Sequence, residues 1–331
     1  MKTRLKFIGP YLRIGFSILL LWLAFRGVDW KTLRSADIEV SPKWLIFAML
    51  ILLLGTVLAS LRWAWIARSA GINLPIARFI KIYFAGLLIN QGLPTMIGGD
   101  SYRAIEAHRL SMTINPAVEP TKLRIGFFVV LLDRGLGFVG NNIVGASGLI
   151  FAGSLITGWA TTLGVAVLAA MLGGMALCAL LLAWPTSHSL VNIVLKKLHL
   201  SAGLPALTIA LGSPTFIIQL MLSVAVHLCG ICGFGFCLRA YGAAVPIEAL
   251  MVALPALGLL TLLPISISGW GLRESTFATV LVLWNVDPTI TLISSVSFGL
   301  VNLLTSLPGA WALLQRARHH HPTQQSELSK S

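Results

Sequence analysis

Twice in this chain an apolar run is broken by proline and glycine and then resumes as a charged helix start. Residues 86–103 read GLLINQGLPTMIGGDSYR, and residues 258–273 read GLLTLLPISISGWGLR. With Pro94 set on Pro264, Gly98-Gly99 falls on Ser268-Gly269 and Arg103 falls on Arg273. Lipid offers nothing to satisfy a free backbone N–H or C=O, so a broken helix must be buried in protein or line a wet cavity. Interrupted apolar segments in corresponding places of two halves point to a transporter's substrate site. The repeat therefore reads as the core of a transport site.

The rest of the chain agrees with a membrane setting. Hydrophobic residues make up 56% and charged residues 11%, against roughly 25% charged in a soluble domain. Mean hydropathy is +0.87, and apolar runs of spanning length recur along all 331 residues. The first run follows Lys2, Arg4 and Lys6 and has no small-residue cleavage site before Arg26, so it is expected to stay as a span. The net charge of +13 comes from cations that flank apolar runs. The positive-inside rule explains that placement better than a nucleic acid partner does. Of the four cysteines, Cys229 and Cys232 have CxxC spacing, but in an apolar helix without a second pair or suitable histidines. They read, with Cys178 and Cys237, as packing residues. The sequence carries no metal motif, P-loop or nucleophile–base pair, so no catalytic residue, metal or cofactor is assigned and no enzyme is expected.

Spans are expected at about 8–25, 44–66, 125–150, 161–184, 213–238 and 289–314. Arg62, Arg68, Arg78 and Lys81 mark one connection as cytoplasmic; Lys196-Lys197 and Arg316 mark others. The apolar run 79–93 is about 15 residues, short of the ~20 needed to cross, and both its ends carry cations. It reads as a re-entrant hairpin from the inside, with the run 247–264 and its sequel as a second from the outside. The expected fold is all-α: a polytopic helix bundle of six full spans plus two inverted re-entrant hairpins, both termini cytoplasmic. Residues 1–318 form one transmembrane domain, and 319–331, beginning in His319-His320-His321, form a solvated polar tail.

The candidate binding residues cluster at the breaks. Gly98-Gly99-Asp100 precede a half-helix expected near Ser101, whose N-terminus suits phosphate, and the glycines allow close approach. Asp100 can cap that helix, and Arg103 and Arg273 are permanently charged forks. Gly269-Trp270-Gly271 leads into Arg273-Glu274, two charged neighbours far from the cytoplasmic cation belt that read as substrate contacts, with a structural ion pair fixing the second hairpin as the alternative. Asp133-Arg134 lies about a third of the way into its span. Ionisable residues within spans are functional candidates by default, although interhelical ion pairs would look the same. His227, with no charged neighbour, reads as a hydrogen-bonded core histidine.

On PTMIGGDSYR (94–103), Asp133-Arg134 and PISISGWGLRE (264–274), the chain resembles the lysylphosphatidylglycerol synthase transmembrane, or flippase-like, family. The likeness runs to about Arg316. It implies a multi-pass protein of the bacterial or archaeal inner membrane that moves lipid between leaflets. The soluble domain that attaches an amino acid to phosphatidylglycerol in two-part members has no counterpart in these residues, which argues against synthase activity. The expectation is a flippase or scramblase whose ligand is an anionic or zwitterionic phospholipid or a polyprenyl-linked lipid. Two other readings stand beside it: a secondary transporter of a small anion, and a non-catalytic partner of a lipid-modifying transferase. That transferase and a second copy of the chain are the protein partners left open.

Overall fold

The computed structural model describes residues 40–92, 97–114, 123–152, 215–261 and 268–320, with isolated positions outside them. Among the described residues every regular element is helical. In chain order they are α1 (Pro42–Ser69), α2 (Ile76–Gly92), α3 (Ile97–Ile114), α4 (Leu123–Ala152), α5 (Thr215–Ala240), α6 (Ile247–Leu260) and α7 (Leu272–Leu281). A 3₁₀ turn (Val282–Trp284), α8 (Pro288–Ser306) and α9 (Pro308–His320) follow.

Three stretches are long and apolar enough to cross a membrane: α1, α5 and the continuous run Pro288–Arg316 through α8 and α9. They coincide with the spans expected at 44–66, 213–238 and 289–314. Helix α4 covers the span expected at 125–150. The spans at 8–25 and 161–184, Cys178, Lys196-Lys197, and the prolines Pro94 and Pro264 lie outside the described residues.

Helical pairs stand at both expected breaks, α2 with α3 and α6 with α7. The 14 residues of α6 and 10 of α7 reach about 21 and 15 Å, short of a hydrocarbon core of about 30 Å. Helix α3 starts at Ile97 rather than near Ser101, so Gly98 and Gly99 are helical and Asp100 lies in the first turn instead of preceding it. The reason is the crossing of α2. A Cβ on Gly99 would overlap the Gly86 carbonyl oxygen, and one on Gly86 would stand 2.9 Å from both the Gly99 oxygen and Arg103 Cγ. Glycine at both positions lets the two backbones touch. The Gly99 N–H, one of the donors a helix start leaves open, is taken by Asn90 Oδ1 at 2.8 Å. Gly99→Ala is therefore expected to lower stability by about 1–3 kcal/mol through overpacking. A thermal melt in detergent reads this, and an unchanged midpoint would contradict the backbone crossing.

Two cores lie along α1. Near its start, Ala48 and Leu52 join Phe234 of α5, Phe277 of α7 and Phe298 of α8, with Phe234 stacked on Phe277 at 4.1 Å between centroids. Near its end, Trp63, Ala64 and Ala67 join Phe79 and Ile82 of α2, Ala104 of α3 and Val129 of α4. One long helix thus backs both helical pairs. Within lipid, helices associate through close packing and hydrogen bonds rather than apolar burial alone. Accordingly Gly140 and Gly148 of α4 seat against Ser223 and Met251, and Asn141 donates to the Pro255 carbonyl of α6 at 3.2 Å. His227 Nε2 sits 2.8 Å from the Gly137 carbonyl, the hydrogen-bonded core histidine expected. Cys229 and Cys237 are buried, and these two and Cys232 are free thiols. The last apolar run breaks at Leu307, where Pro308, lacking an N–H, opens α9 as its first residue.

Candidate functional site

Asp133 is the centre of the first site. It is 1% exposed, about a third of the way along α4, and it accepts from two arginines of other helices. Arg62 Nε of α1 is 2.9 Å from Oδ1, and Arg103 Nη2 of α3 is 2.6 Å from Oδ2. Arg62 also donates from Nη1 to Ser223 Oγ of α5 at 2.9 Å. The Arg103 guanidinium packs against both Trp63 and Tyr83, 4.5 and 4.3 Å from their ring centroids. An ion pair out of water must be geometrically tight and otherwise hydrogen-bonded to hold together, and this one binds four helices.

The chain of charge continues outward. Arg103 Nη1 reaches Asp100 Oδ1 at 3.4 Å. Arg134 grips Asp100 with both arms, Nε to Oδ2 at 2.8 Å and Nη2 to Oδ1 at 3.0 Å. Among the described residues the network joins three guanidinium groups to two carboxylates. Its accessible end is Arg134, with a side chain 45% exposed. Deeper in the network, Arg103 Nε and the neighbouring Trp63 Nε1 are buried without a hydrogen-bond partner among the described residues.

The second site is the turn before α7. Gly271 has φ +81, a conformation that costs glycine nothing, and its N–H donates to Glu274 Oε2 at 2.6 Å. Glu274 Oε1 accepts from Arg273 Nη2 at 2.7 Å and Nε at 3.0 Å, and from Ser295 Oγ of α8 at 3.2 Å. Arg273 lies 4.6 Å from the Trp270 ring centroid and against Gly299 of α8, where any Cβ would meet the guanidinium.

The two sites meet at Ser268. Its hydroxyl lies 2.9 Å from the Asn90 carbonyl and 3.0 Å from that of Gln91, at the end of α2. Ser268 holds φ +48, a left-handed conformation uncommon for a side-chain-bearing residue. Gly269 follows it with φ +76. The segments aligned as repeats in the sequence are thus in direct contact.

A family model described as the lysylphosphatidylglycerol synthase TM region matches residues 11–309. The chain belongs to this family. Both clusters and the Ser268 contact fall inside the matched lysylphosphatidylglycerol synthase TM region. A UPF0104 membrane protein of Methanocaldococcus jannaschii is 28% identical over 136 residues, which cover 41% of this chain and 38% of that protein. The match thus takes in well under half of the relative's length. The protein is a membrane-embedded member of the lysylphosphatidylglycerol synthase TM family, all-helical where described.

Within that region, the sequence candidates Asp100, Arg103, Asp133 and Arg134 come together in one network. Gly269, Gly271, Arg273 and Glu274 come together in the other. Gly99 lies where α2 and α3 cross, and Gly98 is in the first turn of α3. Arg62, Ser223, Asn90, Ser268 and the ring pair Trp63 and Tyr83 are additions from the structure. The signal for Arg62 was present in the sequence: it is a charge inside an apolar helix, followed by Trp63-Ala64-Trp65 rather than by a polar loop.

Proposed function

We propose that the protein moves a phosphate-bearing lipid between the leaflets of a bacterial or archaeal plasma membrane. The headgroup passes between the two helical pairs while its chains stay in the bilayer. The observation that carries this reading is the Arg62–Asp133–Arg103–Asp100–Arg134 network: five charged side chains of α1, α3 and α4 joined in one chain inside a largely apolar bundle, with its exposed end at Arg134. An anionic group beside Arg134 would meet a permanently charged donor at the exposed end of the network. Arg103 and Arg273, both paired with carboxylates, position the two elements; Arg134 and Asp100 meet the headgroup. Gly98, Gly99, Gly269 and Gly271 shape the passage, and Asp133 and Glu274 hold its walls. The family relation supports a lipid role, and the cation-bearing ends of α1, α2 and α9 face the cytoplasm by the positive-inside rule. No chemistry on the lipid is part of this reading.

The test is translocation of headgroup-labelled phospholipid in proteoliposomes. Wild type is expected to accelerate it. Arg134→Gln, a change at an exposed side chain, is expected to slow it about ten-fold or more while the protein stays folded, the loss of one charge-assisted contact of about 1.5–3 kcal/mol. A wild-type rate in the variant would remove Arg134 from the pathway.

A further inference from the structure

A second basic concavity lies apart from the network, where α2, α3 and α9 converge. Its cavity, about 260 Å³, is lined by Arg78 and Lys81 of α2, Tyr102, Glu106 and Arg109 of α3, and Arg316 of α9. Four cations face one carboxylate. Glu106 is already held on two sides: Arg109 donates to Oε1 at 2.7 Å and to Oε2 at 3.1 Å, and Arg316 Nη1 is 3.3 Å from Oε2. The Glu106 bond holds the Arg109 guanidinium above its already high ordinary pKa. Those three groups are therefore mutually engaged. The cations left for a ligand are Arg78 and Lys81, one helical turn apart on the same face. Neither has a carboxylate partner among the described residues, and Lys81 reaches only Gln315, at 3.5 Å.

Orienting cations toward the cytoplasm does not require gathering them round a cavity with charge to spare. Three positive charges in excess match a group with two or more negative charges. A fork from Arg78 and a point charge from Lys81 suit the oxygens of a terminal phosphate. The surroundings specify the rest of the ligand. Helix α9 exposes Trp311 and Leu314 next to Ala312 and Gln315 of the cavity lining, so a charged hollow adjoins an apolar stripe with a tryptophan of the interfacial kind. That juxtaposition fits an amphiphile, with the phosphate in the cavity and the chain along α9.

We infer that the cavity between α2, α3 and α9 is a binding site for a terminal phosphate group, carried by a lipid at the cation-rich face of the membrane. The site is separate from the Arg134 network and does not depend on the protein translocating anything. Its test is accordingly a binding measurement, and failure of one claim leaves the other standing.

The protein is placed in nanodiscs of phosphatidylcholine with increasing phosphatidic acid, and retained lipid is counted by native mass spectrometry after release. Wild type is expected to retain phosphatidic acid over phosphatidylcholine. The double variant R78Q/K81Q is expected to lose that preference by about ten-fold or more, two charge-assisted contacts being removed. Both side chains are exposed, so the fold should persist. K43Q/R124Q removes the same charge from exposed positions elsewhere and is expected to bind as wild type. Inorganic phosphate titrated into the wild type separates the sources. Displacement of phosphatidic acid only at millimolar phosphate supports the lipid. Tight phosphate binding that needs Arg78 and Lys81, without lipid preference, keeps the phosphate site but overturns its lipid origin. Equal retention of both lipids by wild type with no phosphate binding, or unchanged binding in R78Q/K81Q, overturns the site.

Discussion

Asp133→Ala is expected to destabilise the protein by about 3–5 kcal/mol, the cost of removing one partner from a buried charge pair. Two guanidinium groups would lose their counter-ion at once, because Arg62 is 5% and Arg103 3% exposed. Neither can turn to water without disturbing a core: Arg103 packs against Trp63 and Tyr83, and Arg62 is hydrogen-bonded to Ser223. The midpoint of a tryptophan-monitored melt should fall by roughly 10 °C on the usual scaling. Asp133→Asn keeps an acceptor but not the charge, and should fall between alanine and wild type. The double change Arg62→Leu with Asp133→Leu removes one cation together with the carboxylate and should recover part of the loss. If the alanine variant melted with wild type, the network would not be holding four helices together.

Glu274→Ala is expected to cost a similar 3–5 kcal/mol, for a different combination of reasons. Glu274 is fully buried and does two tasks: it neutralises Arg273, and it caps the start of α7 through the Gly271 N–H. Its loss leaves a buried cation packed against Gly299 and frees a turn held in left-handed conformation. Glu274→Gln can still accept from Gly271 but leaves Arg273 uncompensated, so its midpoint should lie between the other two. The same melt decides it, and a Glu274→Gln value equal to alanine would mean that the charge, not the cap, accounts for the whole effect.

Much of this was legible in the residues because lipid is a restrictive solvent. The helices α1, α4, α5 and α8–α9 could be read from apolar length, three of them long and apolar enough to cross a membrane, and the breaks at α2–α3 and α6–α7 from glycine and proline. Asp133-Arg134 and Arg273-Glu274 stood out as charges where charge is costly. What the sequence could not give was pairing. Arg273 and Glu274 are adjacent, and a structural ion pair was the alternative to substrate contact there; Arg103 with Asp133, and Arg134 with Asp100, are tertiary contacts that no local pattern encodes. Arg62 was grouped with the cytoplasmic cations because it sits near the end of a span, yet it folds inward to Asp133. Gly98-Gly99 suggested an open loop before a helix, because glycine signals both backbone freedom and close approach. Only the position of Gly86 on the facing limb separates the two. The cavity at Arg78 and Lys81 was hidden for the same reason: each cation taken alone is an ordinary flank of a span, and the excess appears only when three helices converge.

The central claim is that a headgroup passes between the two helical pairs, which Ser268 joins to the end of α2. Cysteines placed at Ser268 and Gln91 (S268C, Q91C), in a background with Cys178, Cys229, Cys232 and Cys237 replaced by serine or alanine, can be bridged by oxidation or a short thiol cross-linker. Lipid translocation in proteoliposomes is then followed before bridging, after bridging, and, for the disulfide, after reduction. The account predicts background rates in the bridged protein and recovery of the unbridged rate on reduction. Full-rate translocation by protein shown by mass spectrometry to be bridged would contradict it, because the lipid would then be crossing by a route that does not open between the pairs.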